Sequence, residues 1–167
     1  MKKILLVLFL VFSSYGFAQE LFLYEFDKNV SLDFPEYGEE HESEFIRYTN
    51  ATIADDGIVM IMKTNIGSSL FPAKDRNFDK FCQGIKQGVL NKTKGKAIEE
   101  ARLEIDNVKV FNLVVSMEIE NNVKIMESYN FIREDFTYMI QFMGPEIQSD
   151  AFKSIKERIV NSITIQD

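Results

Sequence analysis

The feature that most constrains the fold of this chain is a long stretch, residues 97–143, in which apolar and polar side chains alternate. Successive side chains of a β-strand point to opposite faces, so a two-residue repeat predicts strands with one buried face. The first strand has Ala101, Leu103 and Ile105 alternating with charged residues. The apolar positions of the next three strands are Phe111, Leu113, Val115, Met117 and Ile119, then Val123, Ile125, Tyr129 and Phe131, then Phe136, Tyr138, Ile140 and Phe142. The stretch therefore predicts an antiparallel meander of four strands.

The connections within this meander allow its register to be predicted. Residues that face each other across an antiparallel pair lie on the same side of the sheet. A two-residue turn at residues 121–122 would place the apolar faces of its strands on opposite sides, so we predict an odd-length loop or a β-bulge there. A two-residue turn at residues 133–134 would instead align aromatic rings on one face, Phe131 with Phe136 and Tyr129 with Tyr138.

Strand patterns also occupy the first part of the chain. Residues 21–35 alternate around a turn at 27–29, which predicts two strands. Residues 45–53 and 58–63 are joined through Asp56 and Gly57, a pair typical of a tight hairpin with positive φ. The second arm of this hairpin has no polar face, so we expect a central position in the sheet. Residues 36–44, which include five glutamates, and residues 65–77 are predicted to be loops.

Two segments carry the helical repeat. The apolar stripe of the first consists of Phe78, Phe81, Cys82, Ile85 and Val89. Gly84 and Gly88 lie four residues apart, so we expect this helix to approach the sheet closely, with Gly95 at its cap. The last helix is predicted to begin at a Ser149 or Asp150 cap and to turn four residues inward, Phe152, Ile155, Ile159 and Val160.

Together these elements predict an α+β fold with one antiparallel β-sheet of about six to eight strands flanked by helices. A chain of this length buries a single continuous core, so we expect one domain over residues 19–167. Cys82 is the only cysteine, which excludes a disulfide within the chain and leaves stability to packing.

Four sequence segments resemble those of the PsbP-like superfamily of small secreted and periplasmic proteins. They are the aromatic opening "YEFDKNVSLDFP", the segment "KGKAIEEARLEIDNVKVFNL" after a helix with Phe78 and Phe81, the strand "FTYMIQFMG", and the ending "FKSIKERIVNSITI". The resemblance covers most of residues 19–167 and implies a sandwich of antiparallel sheet and helices. It also implies the accessory or binding roles, mostly non-enzymatic, that proteins with this fold perform.

The N-terminus has the pattern of a bacterial signal peptide. Lys2 and Lys3 precede an apolar run over residues 4–12, and small residues follow at Gly16 and Ala18. We predict a signal peptide over residues 1–18 with cleavage after Ala18. The alternative, a membrane anchor, is disfavoured because the run is shorter than the ~20 residues that span a bilayer. No cysteine near the cut would accept a lipid, so we expect a secreted or periplasmic protein without stable membrane insertion.

The charge of the chain disfavours two classes of partner. The formal net charge is −7, and removing residues 1–18 takes away two lysines and no acid, which leaves −9. Binding to nucleic acids and to anionic lipids depends on lysine and arginine, so we expect neither. The partners left open are an unknown protein or a small molecule.

Candidate catalytic and metal-binding residues are few. His41 is the only histidine and lies among glutamates, a pattern that we interpret as a solvated acidic segment. Cys82 falls on the apolar stripe of the first helix, which favours a buried side chain over a reactive thiolate. The lysines around Gly95 do not match a phosphate-binding loop. We therefore predict no catalytic residue, no metal and no cofactor.

Glu127 is the exception, because it occupies an otherwise apolar strand face. A carboxylate there must find a partner, lie at the sheet edge, or have a raised pKa. We favour a structural partner, and if a ligand pocket exists we expect it beside Glu127, Tyr129 and Tyr138. The leading hypothesis is a non-enzymatic binding or accessory module. The alternatives are a hydrolase that uses paired acidic residues, and a structural subunit of an envelope complex that docks through a methionine-bearing sheet face.

Overall fold

A computed structural model describes residues 19–36, 38–66 and 77–166. The predicted signal peptide and residues 67–76 of the second predicted loop lie outside these ranges. The described strands are β1 (Leu21–Glu25), β2 (Val30–Pro35), β3 (Glu39–Glu42), β4 (Ile46–Ile53), β5 (Gly57–Asn65), β6 (Lys96–Ile105), β7 (Val108–Ile119), β8 (Asn122–Arg133), β9 (Phe136–Pro145) and β10 (Thr164–Ile165). The described α-helices are α1 (Phe78–Thr93) and α2 (Asp150–Asn161).

The strands form two antiparallel sheets. Seven strands pair in the order β3-β4-β5-β9-β8-β7-β6, and three pair in the order β1-β2-β10. The predicted α+β fold with a sheet of six to eight strands flanked by helices is confirmed, as are the four-stranded meander and the central position of β5. The prediction of a single sheet is wrong, because β1, β2 and β10 form a second layer. The buried side of β2 packs on the face of the large sheet instead of extending its edge.

Both faces of the large sheet carry apolar side chains. On one face β2 and α2 enclose the main core, which includes Phe26, Leu32, Val59, Ile61, Phe131, Tyr138, Ile140, Phe142, Phe152 and Ile159. On the other face α1 covers a smaller core formed by Cys82, Phe111, Leu113, Val115, Met117 and Met126. Met139 and Met143, on the same side as Met126, are half-buried.

The prediction of an odd-length loop or a β-bulge between β7 and β8 is wrong. A two-residue turn, Glu120 and Asn121, joins these strands with φ values of 51° and 63°, and Ile119 lies directly opposite Asn122. The apolar rows of β7 and β8 do point to opposite faces, as an even turn requires. No bulge is needed to realign them, because each row has its own cover: α1 on one side, β2 and α2 on the other.

The turn between β8 and β9 lies one residue later than predicted. Glu134 and Asp135 form it, so Arg133 faces Phe136 and Phe131 faces Tyr138. The predicted pairs of Phe131 with Phe136 and of Tyr129 with Tyr138 are therefore wrong, because each partner lies two residues further along β9. The aromatic side chains still share one side of the sheet, and the rings of Phe131 and Tyr138 stack with centroids 5.1 Å apart.

Three local predictions around α1 and β3 need correction. Gly84 and Gly88 face open space, so they do not bring the helix close to the sheet. The helix is capped by Lys94 in the left-handed region (φ 55°), and Gly95 instead lies against β7, where a Cβ would come within 2.6 Å of the Ser116 carbonyl oxygen. Part of the predicted loop over residues 36–44 is the edge strand β3, whose four residues are all exposed.

The hairpin of β4 and β5 is confirmed, with a different distribution of backbone strain. One 3-10 turn, Ala54–Asp56, connects the strands, and Ile53 pairs with Gly57. The positive φ values fall on Asp55 (59°) and Asp56 (53°), whereas Gly57 has extended backbone. The glycine therefore has a role other than turn formation.

Gly57 and Gly144 make room for an aromatic ring of α2. The helix begins at its predicted Ser149 cap, whose hydroxyl accepts from the N–H of Phe152 at 3.1 Å. The Phe152 ring is fully buried, and a Cβ on Gly144 would come within 2.7 Å of it. A Cβ on Gly57 would meet the same ring. The two glycines thus form a seat that positions α2 on the sheet.

We expect Gly144→Ala to destabilise the protein by about 1–3 kcal/mol, because the added methyl group overpacks a buried ring that has no room to move. Gly84→Ala is the matched control, because alanine replaces a glycine within α1 and its Cβ enters open space. That change should stabilise the protein by up to about 1 kcal/mol. Urea denaturation measures both, and equal effects of the two substitutions would contradict the proposed seat.

Candidate functional site

Glu127 lies at the centre of a polar cluster between the large sheet and α2. Lys156 of α2 donates to its Oε2 at 2.7 Å, while Tyr129 and Asn112 donate to its Oε1 at 2.7 and 3.2 Å. The Glu127 and Lys156 side chains are only 16% and 21% exposed. The carboxylate on the apolar face therefore has a full set of partners, and its ion pair ties α2 to β8.

Asp27 lies at the centre of a second polar cluster. Its Oδ2 accepts from Lys63 Nζ at 2.6 Å and from the Tyr138 hydroxyl at 2.8 Å. Its Oδ1 accepts from the backbone N–H groups of Asn29 and Val30, which shapes the turn between β1 and β2. The cluster thus joins the small sheet to β5 and β9 of the large one.

The structure divides the three residues predicted to flank a pocket. Glu127 and Tyr129 are hydrogen-bonded to each other, but Tyr138 is bound to Asp27 instead. Sequence reasoning missed Lys63 and Lys156. Lys63 ends a predicted strand and Lys156 lies within the last predicted helix, and neither pattern carries a signal for a partner in a different layer.

Burial and hydrogen bonding together move the pKa values of all four central groups away from neutral pH. Burial alone would raise the pKa of the Asp27 carboxyl, but hydrogen bonds from Lys63, the Asn29 N–H and Tyr138 outweigh it and hold the pKa below its usual value. The pKa of Glu127 is lowered in the same way, as Lys156, Tyr129 and Asn112 outweigh burial. Burial and the neighbouring carboxylates raise the pKa of the Tyr129 and Tyr138 hydroxyls. At neutral pH the carboxylates are charged and the phenols are protonated.

The Asp27 cluster borders a cavity at one end of the large sheet, which we call the Lys63 pocket. Its volume is about 250 Å³, and its lining includes Phe45, Ile46, Arg47, Lys63 and Phe136. Lys63 Nζ lies 3.9 Å from the centroid of the Phe136 ring, a cation–π contact. Glu42 and Glu44 also line the pocket, so it offers charges of both signs beside apolar walls.

A cleft of about 330 Å³ lies between α1 and β6 and contains Cys82. Burial raises the pKa of the Cys82 thiol, and the side chain is 4% exposed. The predicted buried position of Cys82 is confirmed. A protonated, buried thiol is a poor nucleophile, so the cleft has no activated group for covalent catalysis.

His41 lies on β3 in the exposed acidic segment and stacks on Tyr48 with ring centroids 4.6 Å apart. Within the described ranges there is no group of three or more histidine, cysteine, aspartate or glutamate side chains arranged to hold a metal ion. Over the same residues, neither helix is long and apolar enough to cross a membrane.

Comparisons with known proteins identify the fold. No protein-family model matches the sequence, and no curated protein matches it. Among solved structures, cyanobacterial PsbP (CyanoP) from Synechocystis aligns with a TM-score of 0.64 and 13% identity, over 92% of this chain and 96% of the other. The protein of unknown function PA94 from Pseudomonas aeruginosa aligns with a TM-score of 0.56 and 8% identity, over 89% and 99%. The chain has a PsbP-like α+β fold.

We expect the stability of the protein to fall as the pH drops below about 5, because Asp27 and Glu127 have pKa values in the folded state below those of free carboxyls. Where the folded pKa is depressed, the unfolded chain binds more protons in acid, so stability is present above the unfolded pKa and is lost as the pH falls through the folded one. Urea midpoints from pH 7 to pH 3 measure the effect.

Glu127→Gln should be less stable than the wild type at pH 7, because it leaves Lys156 without its carboxylate, and the two curves should converge in acid. Glu146→Gln, at an exposed position, is the control. Parallel curves for the wild type and Glu127→Gln would contradict the role assigned to the Glu127 cluster.

Proposed function

We propose that this chain is a non-catalytic binding module that works outside the cytoplasm and holds a partner protein at the Lys63 pocket. The observation that carries the proposal is the direction of the pKa shifts. A general acid or base works best with a pKa near the ambient pH. Asp27, Glu127, Tyr129 and Tyr138 are all shifted away from it, which suits fixed charges and hydrogen-bonding groups and not proton transfer.

The same shifts argue against a hydrolase with paired carboxylates. Such enzymes need one carboxylic acid with a raised pKa that protonates the leaving group. The two interior carboxylates, Asp27 and Glu127, are instead bound to separate lysines in separate clusters. Asp27 and Glu127 therefore do not pair with each other, and the pKa of each is lowered, whereas the acid of such an enzyme has a raised pKa.

The size of the Lys63 pocket favours a protein over a free small molecule. Pockets that enclose small ligands usually measure about 300–1,000 Å³, whereas this one measures about 250 Å³, enough for one large side chain. Phe45 is 59% exposed and Ile46 is 39% exposed at the mouth. Protein interfaces are held by a few anchor side chains that fill such pockets within an apolar surround. The charges of both signs at the mouth suit the polar rim of such an interface.

The site of action follows from the N-terminal pattern. Lys2 and Lys3, the short apolar run and the small residues before the cut are those of an exported protein. The acidic charge of the processed chain disfavours nucleic acid and anionic membrane surfaces as partners. We therefore assign the module to the periplasm or the extracellular medium.

Photo-cross-linking tests the binding site. With p-benzoylphenylalanine in place of Phe45, the chain expressed in its native host should give a discrete cross-linked protein band. The same probe in place of Ile147, which is 88% exposed but remote from the pocket in sequence and sheet position, is the control. Phe136→Ala should weaken the Phe45 band severalfold by removing one wall of the pocket, whereas Leu103→Ala should not. Absence of a band at Phe45, or identical bands from both probe positions, would overturn the assignment.

The export prediction is tested by the mass of the product. In a Gram-negative host the exported chain should begin at Gln19, as intact mass spectrometry would show. Ala18→Phe should block processing, because the peptidase accepts only small residues next to the cut. Phe17→Leu, one position away, should be processed normally. Recovery of the full-length wild-type chain in the cytoplasm would contradict export.

A further inference from the structure

Strand β6 forms one edge of the large sheet. Its inner side pairs with β7, and its outer side pairs with no strand among the described residues. It has ten residues, and its register with β7 is regular from Glu99 to Ile105. The opposite edge, β3, has four residues. An edge strand of this length exposes a row of backbone N–H and C=O groups that can pair with another strand.

The charges along β6 alternate in sign on the side that faces α1. Glu100 is paired with Lys86 of α1 at 3.0 Å, and Arg102 is paired with Asp79 of α1 at 2.9 Å. The Glu100 and Arg102 side chains remain 51% and 64% exposed. Charges on an edge repel most strands that approach it. An edge with both signs at neighbouring positions of one face, however, complements a second copy of itself.

Symmetry restricts how two copies can pair. In an antiparallel pair related by a two-fold axis, opposing residues lie on the same face, so the axis passes through a residue position. An axis at Ala101 places Glu100 opposite Arg102 of the second copy, and this pair occurs twice. It also places Glu99 opposite Leu103, which is 42% exposed in the single chain.

Other positions of the axis are less favourable. An axis at Glu99, Glu100, Arg102 or Glu104 would bring two identical charges face to face, which is destabilising. An axis at Leu103 would place Arg102 opposite Glu104, but it would also bring the like charges of Glu100 and Asp106 together at the end of the strand, where Asp106 has φ of 49°. An axis at Ile98 would place Lys96 opposite Glu100, but it would pair only residues 96–100 of β6. The axis at Ala101 pairs the whole of residues 97–105, places Glu100 opposite Arg102 twice, and opposes no like charges.

We propose that β6 pairs with β6 of a second copy of this chain, antiparallel about a two-fold axis at Ala101. The two large sheets then form one continuous sheet. On the α1 side of this sheet, each half of the interface carries a row of alternating charges. The row consists of Asp79 and Arg102 from one copy, followed by Glu100 and Lys86 from the other. The net negative charge of the chain opposes non-specific association of two copies, whereas at this edge the facing charges are unlike.

Disulfide trapping tests the register of the proposed β6–β6 pair. The protein used is the processed chain, residues 19–167, with Cys82→Ala to remove the native thiol. Side chains opposite each other have Cβ atoms about 4.5–5.5 Å apart, close enough for a disulfide after a small adjustment. Ala101→Cys should cross-link to itself under mild oxidation. Glu99→Cys and Leu103→Cys should each form no disulfide-linked dimer alone and should form one when mixed. Absence of an Ala101→Cys dimer above the level of Glu42→Cys on β3, or self-cross-linking of Leu103→Cys, would overturn the proposal.

Charge reversal tests the same interface without cysteines. Sedimentation velocity of the processed chain should show a dimer, and Arg102→Glu should raise its dissociation constant at least about tenfold, because like charges then face each other. Combining it with Glu100→Arg should recover part of the lost affinity, because the facing charges are again unlike although Asp79 and Lys86 of α1 then lie beside like charges. Lys153→Glu changes the net charge equally on an exposed face of α2 and should leave the dimer intact. A wild-type chain that is monomeric at every concentration, or equal losses in Arg102→Glu and Lys153→Glu, would refute the pairing.

Discussion

The register between β7 and β8 is the constraint on which the rest of the structure depends. With an even two-residue turn at Glu120 and Asn121, the apolar row of β7 and the aromatic row of β8 point to opposite faces of the large sheet. An apolar face left in water forgoes roughly 25 cal/mol for each Å² that it could bury. Both faces therefore need cover, and the remaining elements divide between them.

The division of cover explains the order of elements along the chain. Helix α1 comes just before the meander and covers the β7 row, while β1, β2, β10 and α2 come from the two ends of the chain and cover the other face. The glycines at positions 57 and 144 allow Phe152 to reach the sheet backbone. Polar clusters at Asp27 and Glu127 then join the layers by ion pairs at defined positions.

These clusters also bear on function. Breaking a buried ion pair by removing one partner is strongly destabilising, since the remaining charge loses its compensation. A pair of this kind is therefore suited to fixing geometry, and both interior lysines are bound in this way. Among the described residues, the two surfaces proposed to meet a partner are the pocket beside Lys63, which is shaped for a side chain, and the outer edge of β6, which is shaped for a strand. The pocket is lined by residues of β3, β4, β5 and β9, whereas β6 is the edge strand beyond β8 and β7.

The sequence by itself determined both described helices and all the described strands except the short edge strands β3 and β10, because two-residue and 3.6-residue repeats follow directly from backbone geometry. It also placed Cys82 in the core and Ser149 at a cap. It did not determine the second sheet, the register of the β7–β8 and β8–β9 turns, or the partners of Tyr138 and Glu127. The pattern of one strand shows which residues share a face, but not which layer will cover that face. Lys63 and Tyr138 reach Asp27 from 36 and 111 residues away, and only the packing of the layers brings such distant groups within hydrogen-bonding distance.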